Sequence, residues 1–140
     1  MKISKVIFLV FLCLTALCMV NTQQVKSQDS EIVGILSDGS VYSSTNATVP
    51  IQRDGNMYTF TDDILGTSFV VQRNNIIIDG AGFNFAGEGE KGIDLSSTIN
   101  VTIKNVQLIG SFYYGFYLLE SSDITLTRNT IANNGRGIYM

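Results

Sequence analysis

Few side chains in this sequence are equipped for chemistry, and most of those are carboxylates. Asp62-Asp63 is the one adjacent acidic pair, and Glu88, Glu90 and Asp94 gather in a Gly-rich stretch. A glycosidase needs two carboxylates about 5–9.5 Å apart. A lyase needs a base and a group, often Ca²⁺, that stabilises the sugar carboxylate. Neighbouring strand residues point to opposite faces, so Asp62 and Asp63 read as solvated loop charge ahead of the repeats. Glu88, Glu90 and Asp94 are oxygen donors of the kind calcium takes; the plainer reading is that they keep a bend soluble. No catalytic residue and no metal-ligand set is assigned.

A second candidate is aromatic. Phe112-Tyr113-Tyr114 with Phe116 and Tyr117 forms a cluster. Phe116 falls in an inward column of the repeats. Tyr113, Tyr114 and Tyr117 are the candidates to face outward and stack on sugars. The competing reading is ordinary cross-strand contact, at about 0.2–1 kcal/mol per pair. Two glycosylation sequons are present, Asn46-Ala47-Thr48 and Asn100-Val101-Thr102. Asn46 lies in a polar loop and is the better acceptor, whereas Asn100 belongs to a bend column of the repeats.

Those repeats must position everything else. Asn75, Asn100 and Asp123 align, as do Ile76, Val101 and Ile124, then Ile78, Ile103 and Leu126, then Phe83, Leu108 and Ile131, at steps of 25 and then 23 residues. A second strand runs Phe69 and Val71, Ile93 and Leu95, Phe116 and Leu118, Ile138 and Met140, led by Gly92, Gly115 and Gly137. Repeats of 20 to 50 residues signal a solenoid. Inward residues alternate with polar ones, as in Val101-Thr102-Ile103-Lys104, which marks the coils as strands. Each coil runs in the same direction, so consecutive copies stack in parallel about 4.8 Å apart. The expected coil has one strand, an Asn or Gly bend, a second strand, a looser bend holding Glu88 and Glu90, and a Gly-led third strand. The fold class is all-β, a parallel β-helix of about three to four coils.

Composition agrees with this reading. The 140 residues suffice for one domain, with 13 Gly, 1 Pro, no His and no Trp. Net charge is −3; without residues 1–22, which hold Lys2 and Lys5, 7 basic face 12 acidic residues, net −5. An acidic chain with no basic patch excludes nucleic acid as the expected partner. Residues 1–22 read as a signal peptide or a membrane anchor, because Lys2 and Lys5 precede the apolar run Val6 to Val20. Any membrane contact is expected through this segment alone. Cys13 and Cys18 lie in that run, leaving the rest of the chain without a disulfide. Residues 23–63 are a lead-in and a small antiparallel cap, with a hairpin around Arg53-Asp54-Gly55-Asn56. Residues 64–140 are the β-helix proper. The last repeat stops in mid-coil at Met140, so further coils of the same chain are expected to follow.

Asn75-Ile76-Ile77-Ile78-Asp79-Gly80-Ala81-Gly82 resembles the first-coil motif of right-handed parallel β-helix proteins. Asn100-Val101-Thr102-Ile103-Lys104-Asn105 and Asn134-Gly135-Arg136-Gly137-Ile138-Tyr139 resemble their later coils. The stretch Pro50 to Thr61 is similar to the N-terminal segment of large archaeal surface proteins of this type. The resemblance, over about residues 32–140, is to the pectin-lyase-like class and to NosD-like periplasmic copper-binding β-helices. It implies the right hand of the coil. It also implies copper, whose ligands are imidazole, thiolate or thioether; only Met57 and Met140 supply any of these beyond the leader, so no metal and no cofactor are expected. The expected function is an exported structural or recognition module, secreted or at the cell surface, whose partner is an extracellular polysaccharide. It is expected not to be an enzyme. The alternative is a pectin-lyase-like lyase or hydrolase with its active site in downstream coils, and the weakest reading is a copper-protein assembly factor.

Overall fold

A computed structural model of the chain describes residues 31–140. Residues 1–22, read from sequence as a signal peptide or membrane anchor and holding Cys13 and Cys18, fall outside the described residues. Those described form thirteen strands and no helix. The chain opens with β1 (Ile32–Ile35), β2 (Val41–Ser43), β3 (Ile51–Asp54), β4 (Met57–Phe60), β5 (Ile64–Leu65) and β6 (Ser68–Val71). It continues with β7 (Ile76–Asp79), β8 (Asn84–Asp94), β9 (Ile99–Lys104), β10 (Gln107–Tyr117), β11 (Ser122–Thr127), β12 (Thr130–Ala132) and β13 (Arg136–Tyr139).

Two sheets face one another across the core. One runs β12-β10-β8-β6-β1-β2, with β13 also on β10 and β5 also on β8; the other runs β11-β9-β7-β4-β3. Every pairing is parallel except β1 with β2 and β3 with β4. The fold is therefore a parallel β-solenoid with antiparallel strands at one edge of each sheet. The cap is less separate than its sequence suggests. β1 pairs in parallel with β6, and β4 with β7, so both are first rungs of the stack. The hairpin between β3 and β4 closes over Gly55-Asn56 alone, since Asp54 pairs with Met57.

Like stacks on like. Ile76 lies beside Val101 and Ile78 beside Ile103; Val101 lies beside Ile124 and Ile103 beside Leu126. One expected column is corrected. Leu108 pairs with Phe85 on one side and Ile131 on the other, and Phe83 is not in the row. The turn from β7 to β8 takes Gly80-Ala81-Gly82-Phe83, whereas β9 to β10 takes only Asn105-Val106. The longer turn shifts the inward position from Phe83 to Phe85. Inside, Phe60, Phe69, Phe85 and Phe112 form a column with ring centroids 5.8, 5.8 and 5.6 Å apart.

Asn75, Asn100 and Asp123 stand at φ 58°, 56° and 55°. Asn and Asp visit this left-handed region most readily among residues with a side chain. Asn100 Nδ2 donates to Asn75 Oδ1 at 2.9 Å, linking one coil to the next. Asn129 does the same at the other bend, accepting from Val106 N and donating to Ile103 O.

The looser bend is corrected too. β8 and β10 are each continuous over 11 residues, so no loop separates a second from a third strand. Instead the strand turns a corner while its ladder continues. Along β10, Phe112 is buried, Tyr113 and Tyr114 both stand outward, and Gly115 and Phe116 are both buried. Gly92 and Gly115 are thus the first inward residues after the corner, and Gly137 is their counterpart in β13; all three lie in strands rather than in a bend. A Cβ on Gly92 would come 2.6 Å from Gly115 O, and one on Gly115 would come 2.6 Å from Gly137 O. Only glycine permits that backbone approach.

Candidate functional site

No buried side-chain nitrogen or oxygen among the described residues lacks a hydrogen-bond partner. The interior therefore presents no group awaiting a ligand, and attention moves to the outer surface of the corner. The corner grows by a step. Three residues, Gly66 to Ser68, separate Leu65 from Phe69, while the paired residues Ala86 and Ile93 are separated by six, Gly87 to Gly92. The extra residues make a ledge. Beneath it lies an open trough of about 690 Å³, lined by Thr67 and Ser68 on one side, Glu88, Glu90 and Lys91 on the other, and Ser111 beyond.

An aromatic ladder continues from the trough across the next coils. Tyr113 and Tyr114 meet edge to face at 4.6 Å, and Tyr114 contacts Tyr117 at 5.3 Å and Tyr139 at 4.7 Å. Tyr117 and Tyr139 stack at 5.1 Å with ring planes 10° apart. The three tyrosines singled out from sequence are brought together here. Tyr139 was missed, although the 22-residue step that aligns Ile138 with Phe116 aligns Tyr139 with Tyr117 as well. Phe112, from the same aromatic run, points the other way into the core.

The rings are not equivalent. Lys91 Nζ sits 3.9 Å from the Tyr117 centroid. It comes from the preceding coil and Tyr139 from the following one, so both faces of Tyr117 are covered. Tyr117 is therefore a brace, not a stacking platform. Tyr113 is 55% exposed and is the ring most open to solvent. Arg136 lies 5.8 Å from the centroids of Tyr113 and Tyr114 and bounds the ladder on its far side. Desolvation among these rings pushes the Tyr114 hydroxyl above its ordinary range.

Lys91 ties the ladder to the trough. Its Nζ pairs with Asp94 Oδ2 at 2.9 Å, and that hydrogen bond holds the lysine above its ordinary pKa. Burial alone would raise Asp94, but hydrogen bonds from Ser96 and Lys91 outweigh it and hold the carboxyl below the usual range. The calcium reading of Glu88, Glu90 and Asp94 does not fit this geometry. Asp94 is engaged by Lys91 and by Ser96 N and Oγ, and Glu88 and Glu90 stand exposed on a strand. Asp62 and Asp63 are exposed and do not meet the corner carboxylates. Asp63 instead accepts from Asn84 N at 2.8 Å and Asn84 Nδ2 at 3.0 Å, anchoring the start of β8.

The sequence falls within a known family. Residues 15–140 match the family described as periplasmic copper-binding protein, NosD. The chain belongs to the NosD family. No curated protein and no solved structure matches it. The NosD description names copper, so the donor set matters. The chain has no His. Met57 on β4 and Met140 after β13 stand on rungs at opposite ends of the stack, both exposed. No group of three or more His, Cys, Asp or Glu is gathered among the described residues. These residues do not fit a copper site. No helix among them is long and apolar enough to cross a membrane.

Proposed function

We propose that this NosD-family solenoid is a non-catalytic recognition module of an exported protein, secreted or held at the cell surface, and that its outer corner binds extended polysaccharide. One observation carries the reading: Tyr113 and Tyr114 of one coil meet Tyr139 of the next, and Lys91, packed on Tyr117, also lines the polar trough, so aromatic surface and hydroxyl-binding groups adjoin. A pyranose ring stacks its C–H face on an exposed aromatic ring. Glu88, Glu90, Thr67, Ser68 and Ser111 supply acceptors and donors for its hydroxyls. Lys91 and Tyr117 hold the platform rigid, which lowers the ordering cost of binding. Glu88 and Glu90 face open solvent on a strand, which favours holding a sugar over cleaving it, since hydrolysis needs two carboxyl groups set about a sheltered water.

The test is retention of the purified chain on immobilised acidic and neutral polysaccharides, with Tyr113→Ala/Tyr139→Ala alongside. The double variant is expected to bind about tenfold more weakly or worse. Unchanged retention would overturn the binding role. Release of reducing or unsaturated sugar ends by the unaltered chain would overturn the non-catalytic part.

The two sequons separate on the same grounds. Asn46 is exposed in the loop between β2 and β3 and is the acceptor. Asn100 is exposed as well, but it stands at φ 56° and donates its amide to Asn75, a bond between coils that a glycan would break. Intact mass before and after deglycosylation, on wild type and Asn46→Gln, distinguishes the two.

A further inference from the structure

Arg53 of β3 and Arg73 of the loop between β6 and β7 meet over Gly39, the one buried residue of the turn that joins β1 to β2. Gly39 lies in that turn at φ +87°, closed by Gly39 N donating to Leu36 O and Leu36 N to Ser40 O. A Cβ on Gly39 would fall 2.1 Å from a terminal nitrogen of Arg73 and 2.7 Å from one of Arg53. The two guanidinium heads therefore lie side by side over the same glycine. Arg53 is fixed by Nε donating to Gly55 O and Nη1 to Gly39 O, both at 3.0 Å, and it covers the Tyr58 ring. Arg73 is fixed by Nη2 donating to Asn56 Oδ1 at 3.1 Å.

Neither arginine forms an ion pair among the described residues, where the pairs are Lys91–Asp94 and Lys104–Asp79. Asp38 accepts from Ser40 N and Oγ, which with the field of Arg53 and Arg73 holds its carboxyl low. Packing explains Arg53, which closes the hairpin and roofs the tyrosine. It does not explain Arg73, which sets a like charge beside Arg53 and gains one exposed hydrogen bond and the field of Asp38. Each guanidinium carries five N–H donors in a planar fork; Arg53 uses Nε and Nη1 and Arg73 uses Nη2 in the hydrogen bonds above. An open trough of about 410 Å³ begins at Arg73 and is lined by Ser37, Asn56, Gln72, Asn74 and Asn75, all polar.

We infer that Arg53 and Arg73 form an oxyanion site over Gly39, beside the trough that Arg73 lines, taking a sulfate, phosphate or carboxylate group. Paired arginines recognise such groups by charge-assisted, bidentate hydrogen bonds. The oxyanion is either a free inorganic ion or a substituent on an acidic or sulfated polysaccharide. The site is separate from the tyrosine corner and does not depend on it.

The test follows the full chain by proton–nitrogen correlation NMR as sodium sulfate, sodium phosphate or, at matched ionic strength, sodium chloride is added. Saturable shifts at Gly39, Asn56 and the Arg73 side chain are expected with sulfate or phosphate and not with chloride. Arg73→Gln should weaken the response at least about tenfold. Arg73→Lys should fall between, because it keeps the charge and loses the fork. Amide dispersion over β9 to β11 checks that each variant is folded. Tyr113→Ala should leave the response intact, so failure at the corner and failure here are told apart. An oligouronide or sulfated oligosaccharide that binds about tenfold tighter than the inorganic ion assigns the site to a polymer; equal affinity assigns it to the free ion. Identical shifts in sulfate and chloride, or a sulfate response that survives Arg73→Gln, would overturn the site.

Discussion

Truncating Phe85 to alanine tests the internal column most directly. The ring is fully buried, 5.8 Å from Phe69 edge-on and 5.6 Å from Phe112 in a stacked arrangement with planes 6° apart. Losing a buried Phe side chain costs about 3–5 kcal/mol, of which the two aromatic contacts account for roughly 0.5–1.5 each. Domains of this size are stable by about 5–15 kcal/mol, so Phe85→Ala removes a large share. Phe85→Leu keeps much of the apolar area and should cost about 1–2 kcal/mol. Leu65→Ala, at a neighbouring residue 61% exposed, should lie within about 0.5 kcal/mol of wild type. The assay is urea unfolding followed by circular dichroism, with the slope compared between variants. A double-mutant cycle with Phe112 should give a coupling of about 1 kcal/mol. A Phe85→Ala cost below about 1.5 kcal/mol, or one equal to that of Leu65→Ala, would refute the column as a main source of stability.

Other outcomes follow from the bends, the corner and its ion pair. Gly115→Ala should destabilise by about 1–3 kcal/mol, because its Cβ meets Gly137 O at 2.6 Å; Gly55→Ala, with open space but φ +59°, should cost about 1 kcal/mol from strain alone, and a reversed order in thermal unfolding would contradict this. Asn100→Ala should cost about 1–2 kcal/mol through its left-handed backbone and lost ladder bond, and Asn100→Gly about half of that. Asp94 has a lowered folded pKa, so its contribution is present above the ordinary carboxylate value near 3.9 and fades as pH falls through the lower folded value. Lys91 has a raised folded pKa, so its contribution is present below the ordinary lysine value near 10.4 and fades as pH rises through the higher folded value. Asp94→Asn should flatten both limbs of stability against pH, and an unchanged profile would remove the pair from the account.

The columns were legible because stacking repeats like on like: Ile76, Val101 and Ile124 announce themselves by spacing alone. Phe83 misled because both it and Phe85 are aromatic, and only the length of the Gly80–Phe83 turn decides which is inward. The corner was hidden for another reason. Alternation breaks where Tyr113 and Tyr114 both face outward, and a period-two pattern cannot represent a strand that turns while keeping its ladder. Tyr117 looked like Tyr113 in sequence, but its coverage comes from Lys91 and Tyr139, one coil away on either side. Arg53 and Arg73 meet over Gly39 only because the turn after β1, strand β3 of the other sheet and the loop after β6 come together, and no local pattern in the sequence joins the three.

The tyrosine ladder also gives the molecule an optical property. The chain has no tryptophan and six tyrosines, of which Tyr113, Tyr114, Tyr117 and Tyr139 are within contact of one another. Rings so close share their electronic transitions and pass excitation between them. The near-ultraviolet circular dichroism and intrinsic emission of the chain are therefore dominated by one patch of its surface. A ligand that settles there, or a coil that opens there, announces itself without a label, while events at the opposite edge are reported only by Tyr42 and Tyr58.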